Sequence, residues 1–474
     1  MHFVSLEFLI FLPIVFFLYW ALRRWVRWQN LFVVAASYVF YGWWDWRYMF
    51  LLGGYTLCSF CSGLLLGKFR TSASIKRIIL WSAVAINVGV LCVYKYLDFF
   101  TLSTVKLAAC FGITLDWVSL NLVLPVGISF FTFQALGYTI DVYRNNIAPT
   151  RDIISFFAFM SFFPQMVAGP IEKADRLLPQ FQCKREFSYR EGVEGMKRIL
   201  WGLFKKMVVA DNCAIFVNQT FVRFEELDAF SLLLGAVFFT FQIYGDFSGY
   251  CDIAVGCGRL LGIRLSENFR LPYFSKNIKE FWRRWHITLQ SWFRDYVYLP
   301  LGGNRKGMAR MIFNILIVFA LSGLWHGARY TYILWGLYNG VLIAILILID
   351  KYFRREGIRV WYKGAAVFVT FCFIVIGWII FRSYSVYGNA IYLYKLAIFA
   401  PGERVDMIRF WPCLVAVMIM MTFEFLNRKR SFGLDFPAKG LLRYRSVRWS
   451  FYWVLTMLTF VMAGTEQAFI YFQF

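Results

Sequence analysis

Met311-Ile-Phe-Asn-Ile-Leu-Ile-Val-Phe-Ala-Leu-Ser-Gly-Leu-Trp325-His326-Gly327 is an uncharged, largely apolar run that ends on one of the chain's three histidines. A run of this kind suits a helix inside a hydrocarbon layer, where the backbone must satisfy its own hydrogen bonds. An imidazole at that depth costs free energy unless it is paired or lines a wet cavity, so His326 is a functional-site candidate. Its ordinary pKa, about 6.5, suits a group that accepts and returns a proton near neutral pH. The plainer alternative is a packed histidine satisfied by a neighbouring carbonyl.

The surrounding chain defines the solvent. Sixty per cent of the 474 residues are hydrophobic, 21% are aromatic and 16% are charged, against about 25% charged in soluble domains. Apolar stretches recur near 3–22, 31–44, 48–67, 78–100, 121–140, 153–169, 230–250, 311–326, 329–349, 364–381, 409–426 and 449–463. Several fall short of the ~20 residues that cross a ~30 Å core, or carry Pro and Gly, which predicts broken, tilted or re-entrant helices. The expectation is an all-α, polytopic integral membrane protein with about 10–12 transmembrane or re-entrant helices around a central tunnel, plus interfacial amphipathic helices. No Ser-, Pro- or Gly-rich linker divides it, so residues 1–474 read as one membrane-embedded domain with a catalytic region at about 240–345.

Residues 3–22 lack a cationic lead and a small-residue cleavage site, so they read as a retained helix. Arg23, Arg24 and Arg27 follow it, which places this loop inside and the amino terminus outside. The net charge of +23 is spread over the loops at 68–77, 264–310, 351–363 and 428–448. Topology and attraction to anionic membrane lipids account for most of it, and a phosphate-bearing cytosolic substrate is able to exploit it. The scattered charge forms no single stripe, which argues against nucleic acid. The ten cysteines lie mostly in apolar segments, and Cys58-Ser-Phe-Cys61 has neither a second pair nor a nearby histidine. A small-residue helix contact explains that pair, and neither a disulfide framework nor a metal site is expected.

The most basic of the connecting regions holds the second internal histidine, in Phe281-Trp-Arg-Arg-Trp-His286-Ile-Thr-Leu-Gln-Ser-Trp-Phe-Arg294-Asp-Tyr296. Read as one helix, Trp282, His286, Leu289 and Phe293 share an apolar side, while Arg283, Arg284 and Arg294 lie elsewhere on the wheel. The prediction is an interfacial, tryptophan-anchored helix with its imidazole turned inward. A chemical role and a purely interfacial role for His286 both fit this pattern. The turn-rich loop Pro300-Leu-Gly-Gly-Asn-Arg-Lys-Gly307 separates the two histidines and lets the chain fold back, describing two stations along a path. Asp246, Ser248, Tyr250 and Asp252 form a polar cluster whose spacing does not fit one helical face. A loop or re-entrant bend is expected there, serving to orient a substrate or to hold the bend together. Glu424 and Glu466, inside apolar stretches, are expected to pair with basic residues.

Several motifs together resemble the membrane-bound O-acyltransferases, in the bacterial branch that O-acetylates alginate and other extracellular polysaccharides. They are Trp282-Arg-Arg-Trp-His286, Trp292-Phe-Arg-Asp-Tyr296, Pro300-Leu-Gly-Gly-Asn-Arg-Lys306, Leu321-Ser-Gly-Leu-Trp-His326-Gly327, Leu124-Pro-Val-Gly-Ile-Ser-Phe-Phe-Thr-Phe-Gln134, Phe162-Phe-Pro-Gln-Met-Val-Ala-Gly-Pro170, Tyr244-Gly-Asp-Phe-Ser-Gly-Tyr-Cys-Asp252 and the ending Phe469-Ile-Tyr-Phe-Gln-Phe474. The resemblance covers essentially the whole chain. It implies that His326 corresponds to the family's catalytic histidine and His286 to its second conserved polar position, on the cytoplasmic side. It implies transfer of an acyl group, here acetyl, from a cytosolic thioester such as acetyl-CoA to a hydroxyl reached from the other side of a bacterial cytoplasmic (inner) membrane. An extracytoplasmic acetyl-accepting protein or a polysaccharide is the implied partner. In Trp335-Gly-Leu-Tyr-Asn339-Gly340 the chain has Asn339 where many relatives carry histidine, so a titrating role at that position is in doubt while hydrogen bonding survives.

A hydroxyl is a weak nucleophile until a positioned base takes its proton, a task for His326, with His286 as the second catalytic candidate, guiding the donor or serving as a secondary base near the inner mouth. The thioester carbonyl then develops negative charge that needs donors. Candidates are Asn339, Trp325 Nε1 and the backbone at Gly323 and Gly327. Lys279, Arg283, Arg284 and Arg294, flanked by Trp282 and Trp285, are candidates for the donor's phosphates, each with the alternative of a topological charge. The competing class is a transporter or flippase for a polar substrate or lipid-linked saccharide, which more often shows matched repeats with broken helices. No self-similar halves are found here.

Overall fold

A computed structural model describes residues 1–117, 119–167, 169–352, 363–406, 410–436, 443–464 and 467–470. Among these the architecture is helical, without strands, and a single isolated bridge joins Leu227 and Glu403. Among the described residues six helices are long and apolar enough to cross a membrane: Arg47–Lys68, Ala73–Lys95, Ala229–Leu260, Met308–His326, Tyr330–Tyr352 and Gly364–Arg382. Leu6–Ala21 and Trp411–Leu426 are shorter apolar helices. The breaks foreseen from Pro and Gly occur. The 121–140 stretch becomes helical only at Ile128, after Pro125 and a left-handed Gly127. The 153–169 stretch splits at Phe162 into Ile153–Ser161 and Phe163–Met166, with Pro164 opening the second piece.

One long helical run was not foreseen. Tyr189–Leu203, the π-helical Phe204–Ala210 and Asp211–Val222 follow one another without interruption. Lys205, Lys206 and Asp211 break its hydropathy, yet all three are buried.

The residues group into two compact units, Met1–Gly192 with Cys257–Ser266, and Val193–Gly256 with Glu267–Phe474. Within the first, two of the motif segments meet. Gln134 and Gln165 both donate side-chain N–H groups to the Phe159 carbonyl, at 2.9 and 2.7 Å. A side chain at Gly127 would collide with the Met166 carbonyl oxygen. Such close backbone approach on a positive φ is what selects glycine.

The second unit contains both internal histidines. Met308–His326 and Tyr330–Tyr352 form a tight helical hairpin. A Cβ at Gly323 would strike the Tyr332 carbonyl oxygen, and one at Gly336 the Phe319 carbonyl oxygen. These two glycines let the backbones nearly touch, the small-residue mode of helix packing in membranes. Gly323→Ala therefore forces the hairpin apart. Thermal melting in detergent should show a loss of about 1–3 kcal/mol, the usual cost of overpacking, and an unchanged melting curve would refute the contact.

Candidate active site

The segment expected to be one helix is broken at its histidine. Ile278–Arg284 ends, Trp285 is extended, His286 takes the left-handed conformation with φ 44 and ψ 54, and Ile287–Phe293 begins. The break has a cause outside the segment. Arg270 N–H donates to the Arg284 carbonyl and Ile287 N–H to the Asn268 carbonyl, each at 3.0 Å, so the 268–270 strip runs beside the corner and captures its backbone. The inward side read from the helical wheel nevertheless holds: Trp282, His286, Leu289 and Phe293 are buried, while Arg283 and Arg294 are exposed. Apolar burial fixes which side chains face the protein even where helix continuity fails.

Both imidazoles sit in one aromatic assembly. The His286 ring lies 4.7 Å from Phe247 and 6.0 Å from Trp325. Trp325 lies 4.9 Å from His326, whose ring also meets Trp335 at 5.1 Å and Phe381 at 5.4 Å. One indole is thus shared by the two histidines, which are 1% and 4% exposed respectively. Their adjacency to tryptophan in sequence becomes a shared tryptophan in space. The fold brings together the two stations that the chain keeps apart.

Burial opposes charge on His286 and pushes its pKa down to about 3 from 6.5. The imidazole therefore stays neutral at physiological pH, suited to accept or donate one hydrogen bond rather than to bind phosphate as a cation. The stability consequence has a definite sign. Below pH 6.5 the unfolded chain takes up a proton that the folded chain refuses, so stability falls as pH drops from there toward about 3. Comparing melting at pH 7.5 and pH 5, His286→Gln should lose less on acidification than the parent protein; an equal loss would refute the burial argument.

A cavity of about 800 Å³ lies beside this assembly, lined among others by Tyr244, Ser248, Cys251, Asn268, Arg283 and Arg284. Arg198, Lys205, Arg270, Arg428, Lys429 and Arg430 add further cationic groups to its walls, against the acids Asp252, Glu267, Glu424 and Asp435. Neither histidine lines it. Phe247, the ring neighbour of His286, directly precedes Ser248 in its wall.

The remaining candidates separate clearly. Trp282 packs on Phe319 and Trp335, and Trp285 on Phe281 and Trp378, so both indoles are buried in the aromatic core. Lys279 pairs with Asp350 at 2.7 Å, and Arg294 with its neighbour Asp295 at 2.7 Å; neither is among the cavity residues. Arg284 pairs with Glu280 at 2.5 Å on the cavity wall. Asn339 is buried and donates to the Trp335 carbonyl of its own helix at 2.8 Å, which commits one amide hydrogen to the backbone.

The bend expected around Asp246 to Asp252 is absent. These residues lie inside the continuous helix Ala229–Leu260. The helix survives because its carboxylates are neutralised on separate sides. Asp246 meets Lys206 Nζ at 2.9 Å and accepts from Ile470 N–H at 2.6 Å, while Asp252 meets Lys205 Nζ at 2.5 Å and Arg198 Nε at 2.9 Å. Tyr250 packs on Phe469 with ring centroids 4.2 Å apart. Ser248 Oγ is buried without a hydrogen-bond partner among the described residues, and Ser248 belongs to the cavity wall. Of the four, Ser248 and Asp252 thus border the cavity, and Asp246 and Tyr250 contact the 469–470 segment. Glu424 accepts from Tyr244 Oη at 2.7 Å and faces Lys205 at 3.8 Å, the basic pairing expected of it; Glu466 lies outside the described residues.

Sequence reading passed over Arg198, Lys205, Lys206 and Asn268. The signal for the lysines was present, since Trp201-Gly-Leu-Phe-Lys205-Lys206-Met-Val-Val-Ala210 sets two cations in an apolar context. At membrane depth that demands partners.

This constellation of paired imidazoles in an apolar helical protein, next to a cationic cavity, is one that suits acyl transfer from an anionic thioester. The sequence profile of MBOAT, the membrane-bound O-acyltransferase family, matches residues 91–387. The chain is 38% identical over 385 residues to the probable alginate O-acetylase AlgI of Pseudomonas putida, covering 80% of this chain and 77% of that protein. It is 39% identical over 378 residues to the probable alginate O-acetylase AlgI of Pseudomonas aeruginosa, covering 79% and 70%. It is 35% identical over 406 residues to the peptidoglycan O-acetyltransferase of Helicobacter pylori, covering 79% and 75%. The chain belongs to the membrane-bound O-acyltransferase family. It is an integral membrane enzyme that transfers acyl groups to hydroxyls, and the transporter alternative falls away.

Proposed function

We propose that this acyltransferase moves acetyl from acetyl-CoA, bound from the cytosolic side, to a hydroxyl of an extracytoplasmic polysaccharide or of a protein that serves one, in a bacterial cytoplasmic membrane. The observation that carries the reading is the cationic cavity set against the buried pair of histidines that share Trp325. Relatives named for alginate and peptidoglycan O-acetylation support acetyl as the group and a polysaccharide as the acceptor class. The family match runs through residues of both compact units, which supports one acyltransferase domain over 1–474.

In this reading His326 takes the proton from the acceptor hydroxyl as its oxygen attacks the thioester carbonyl. The C–S bond breaks in the tetrahedral intermediate, an ester forms, and the departing thiolate leaves as thiol with the proton. His286, neutral and packed on Phe247 beside the cavity-wall residue Ser248, hydrogen-bonds the donor thioester as it reacts. Arg283 and Arg284 meet the donor's phosphates by charge-assisted hydrogen bonds. The basic loops then lie on the cytosolic side and the amino terminus outside.

The test is labelled acetyl transfer by the purified protein in detergent to a soluble polysaccharide or its acceptor protein. Arg283→Glu with Arg284→Glu should raise KM for acetyl-CoA about tenfold, near the ~1.5 kcal/mol of a hydrogen bond to a charged group. The parent's KM should rise with salt while kcat holds. An unchanged KM, or transfer only from a carrier-protein thioester, would overturn the choice of donor.

A further inference from the structure

Asn268 makes four hydrogen bonds at or beside the His286 corner. We infer that Asn268 is a positioning residue that holds His286 in place for acyl transfer, an inference that rests on the catalytic reading of the histidine pair. Asn268 is 2% exposed and belongs to the wall of the cavity. Its side-chain Oδ1 accepts from Thr288 N–H at 3.2 Å and from Thr288 Oγ1–H at 2.6 Å. Its backbone carbonyl accepts from Ile287 N–H at 3.0 Å. Its Nδ2–H donates to Cys251 Sγ, on the helix Ala229–Leu260, at 3.3 Å.

Three of these bonds thus grip the two residues that follow His286, and the fourth ties that grip to the helix that also carries Phe247 and Ser248. The corner needs the grip. A non-glycine residue at positive φ is strained and persists only where its surroundings over-determine it. His286 has φ 44 and follows Trp285, whose side chain is already committed to the aromatic core. The left-handed turn is what swings the imidazole out of the 278–284 helix direction and toward Phe247 and Trp325. Asparagine fits this role because one short planar amide offers an acceptor with two lone pairs on one side and donors on the other. Alanine removes the acceptor and leaves the buried Thr288 hydroxyl and N–H without it.

The experiment uses the full-length purified protein, labelled acetyl-CoA and a hydroxyl acceptor, with melting in detergent as the folding control. Asn268→Ala should lower kcat on the order of 100-fold, the penalty of misplacing a reacting group by about 1 Å. KM for acetyl-CoA should hold. Thr288→Val, which keeps the volume and removes the hydroxyl, should lower kcat in the same direction, and Thr288→Ser should retain it. Asn268→Ala combined with Thr288→Val should cost no more than the worse single variant, because both act through one clamp. In a His286→Ala background, Asn268→Ala should add nothing. If Asn268→Ala fails to fold, the Thr288→Val and Thr288→Ser pair decides. Activity retained in Asn268→Ala and Thr288→Val while His286→Ala loses it would overturn this inference alone. Activity retained in His286→Ala and His326→Gln would overturn the catalytic reading beneath it.

Discussion

His326→Gln should reduce acetyl transfer by about 10²–10⁴-fold, the range that a positioned general base contributes, with melting in detergent close to that of the parent. Glutamine keeps a polar side chain of similar reach and removes the titrating nitrogen. The ring contacts that locate His326 come from Trp325, Trp335 and Phe381, which are held by the Met308–His326 hairpin and by Gly364–Arg382. The glycine contacts at 323 and 336 set that hairpin without the imidazole, so the chemistry and the fold separate in this variant. A loss of transfer with a collapsed melting curve would instead assign His326 to packing.

Lys206→Met should be the most destabilising of the single substitutions considered. Lys206 Nζ lies 2.7 Å from Asp211 and 2.9 Å from Asp246, all three side chains being at most 4% exposed. Methionine fills the volume and abandons two carboxylates away from water. Removing one partner of a buried ion pair costs about 3–5 kcal/mol, because the other charge remains. That exceeds the ~1–3 kcal/mol of the Gly323→Ala collision. Lys206→Met with Asp246→Asn should recover part of the loss, since one abandoned charge is removed with the cation. Melting of Lys206→Met within about 0.5 kcal/mol of the parent, as for a surface substitution, would contradict the buried network.

Much of the architecture was legible because a hydrocarbon solvent leaves a coarse pattern. Long apolar runs such as 329–349 became single helices, and Pro125 and Pro164 marked real breaks. The run from Tyr189 to Val222 was invisible for the reason that makes it interesting. Lys205, Lys206 and Asp211 lower its hydropathy; Lys206 and Asp211 pair within the run, and Asp246 and Asp252 on the distant helix Ala229–Leu260 complete the partners that make burial tolerable. The same blindness produced the false bend at Asp246–Asp252, where a helical wheel shows carboxylates on several faces and cannot show that cations meet them on each. At the site, the two histidines and their tryptophan neighbours were readable one by one, since rare ionisable groups in apolar surroundings stand out. The break at His286 was not readable. It depends on backbone hydrogen bonds from 268–270, and helical periodicity carries no trace of a pairing made elsewhere in the chain.

The most direct measurement is single-turnover acetyl transfer from labelled acetyl-CoA by His326→Gly, with and without added imidazole, beside the parent protein. Base catalysis at position 326 predicts slow transfer by the variant and a rate that climbs with the concentration of neutral imidazole. Transfer by His326→Gly at the parent rate, with imidazole making no difference, would contradict it.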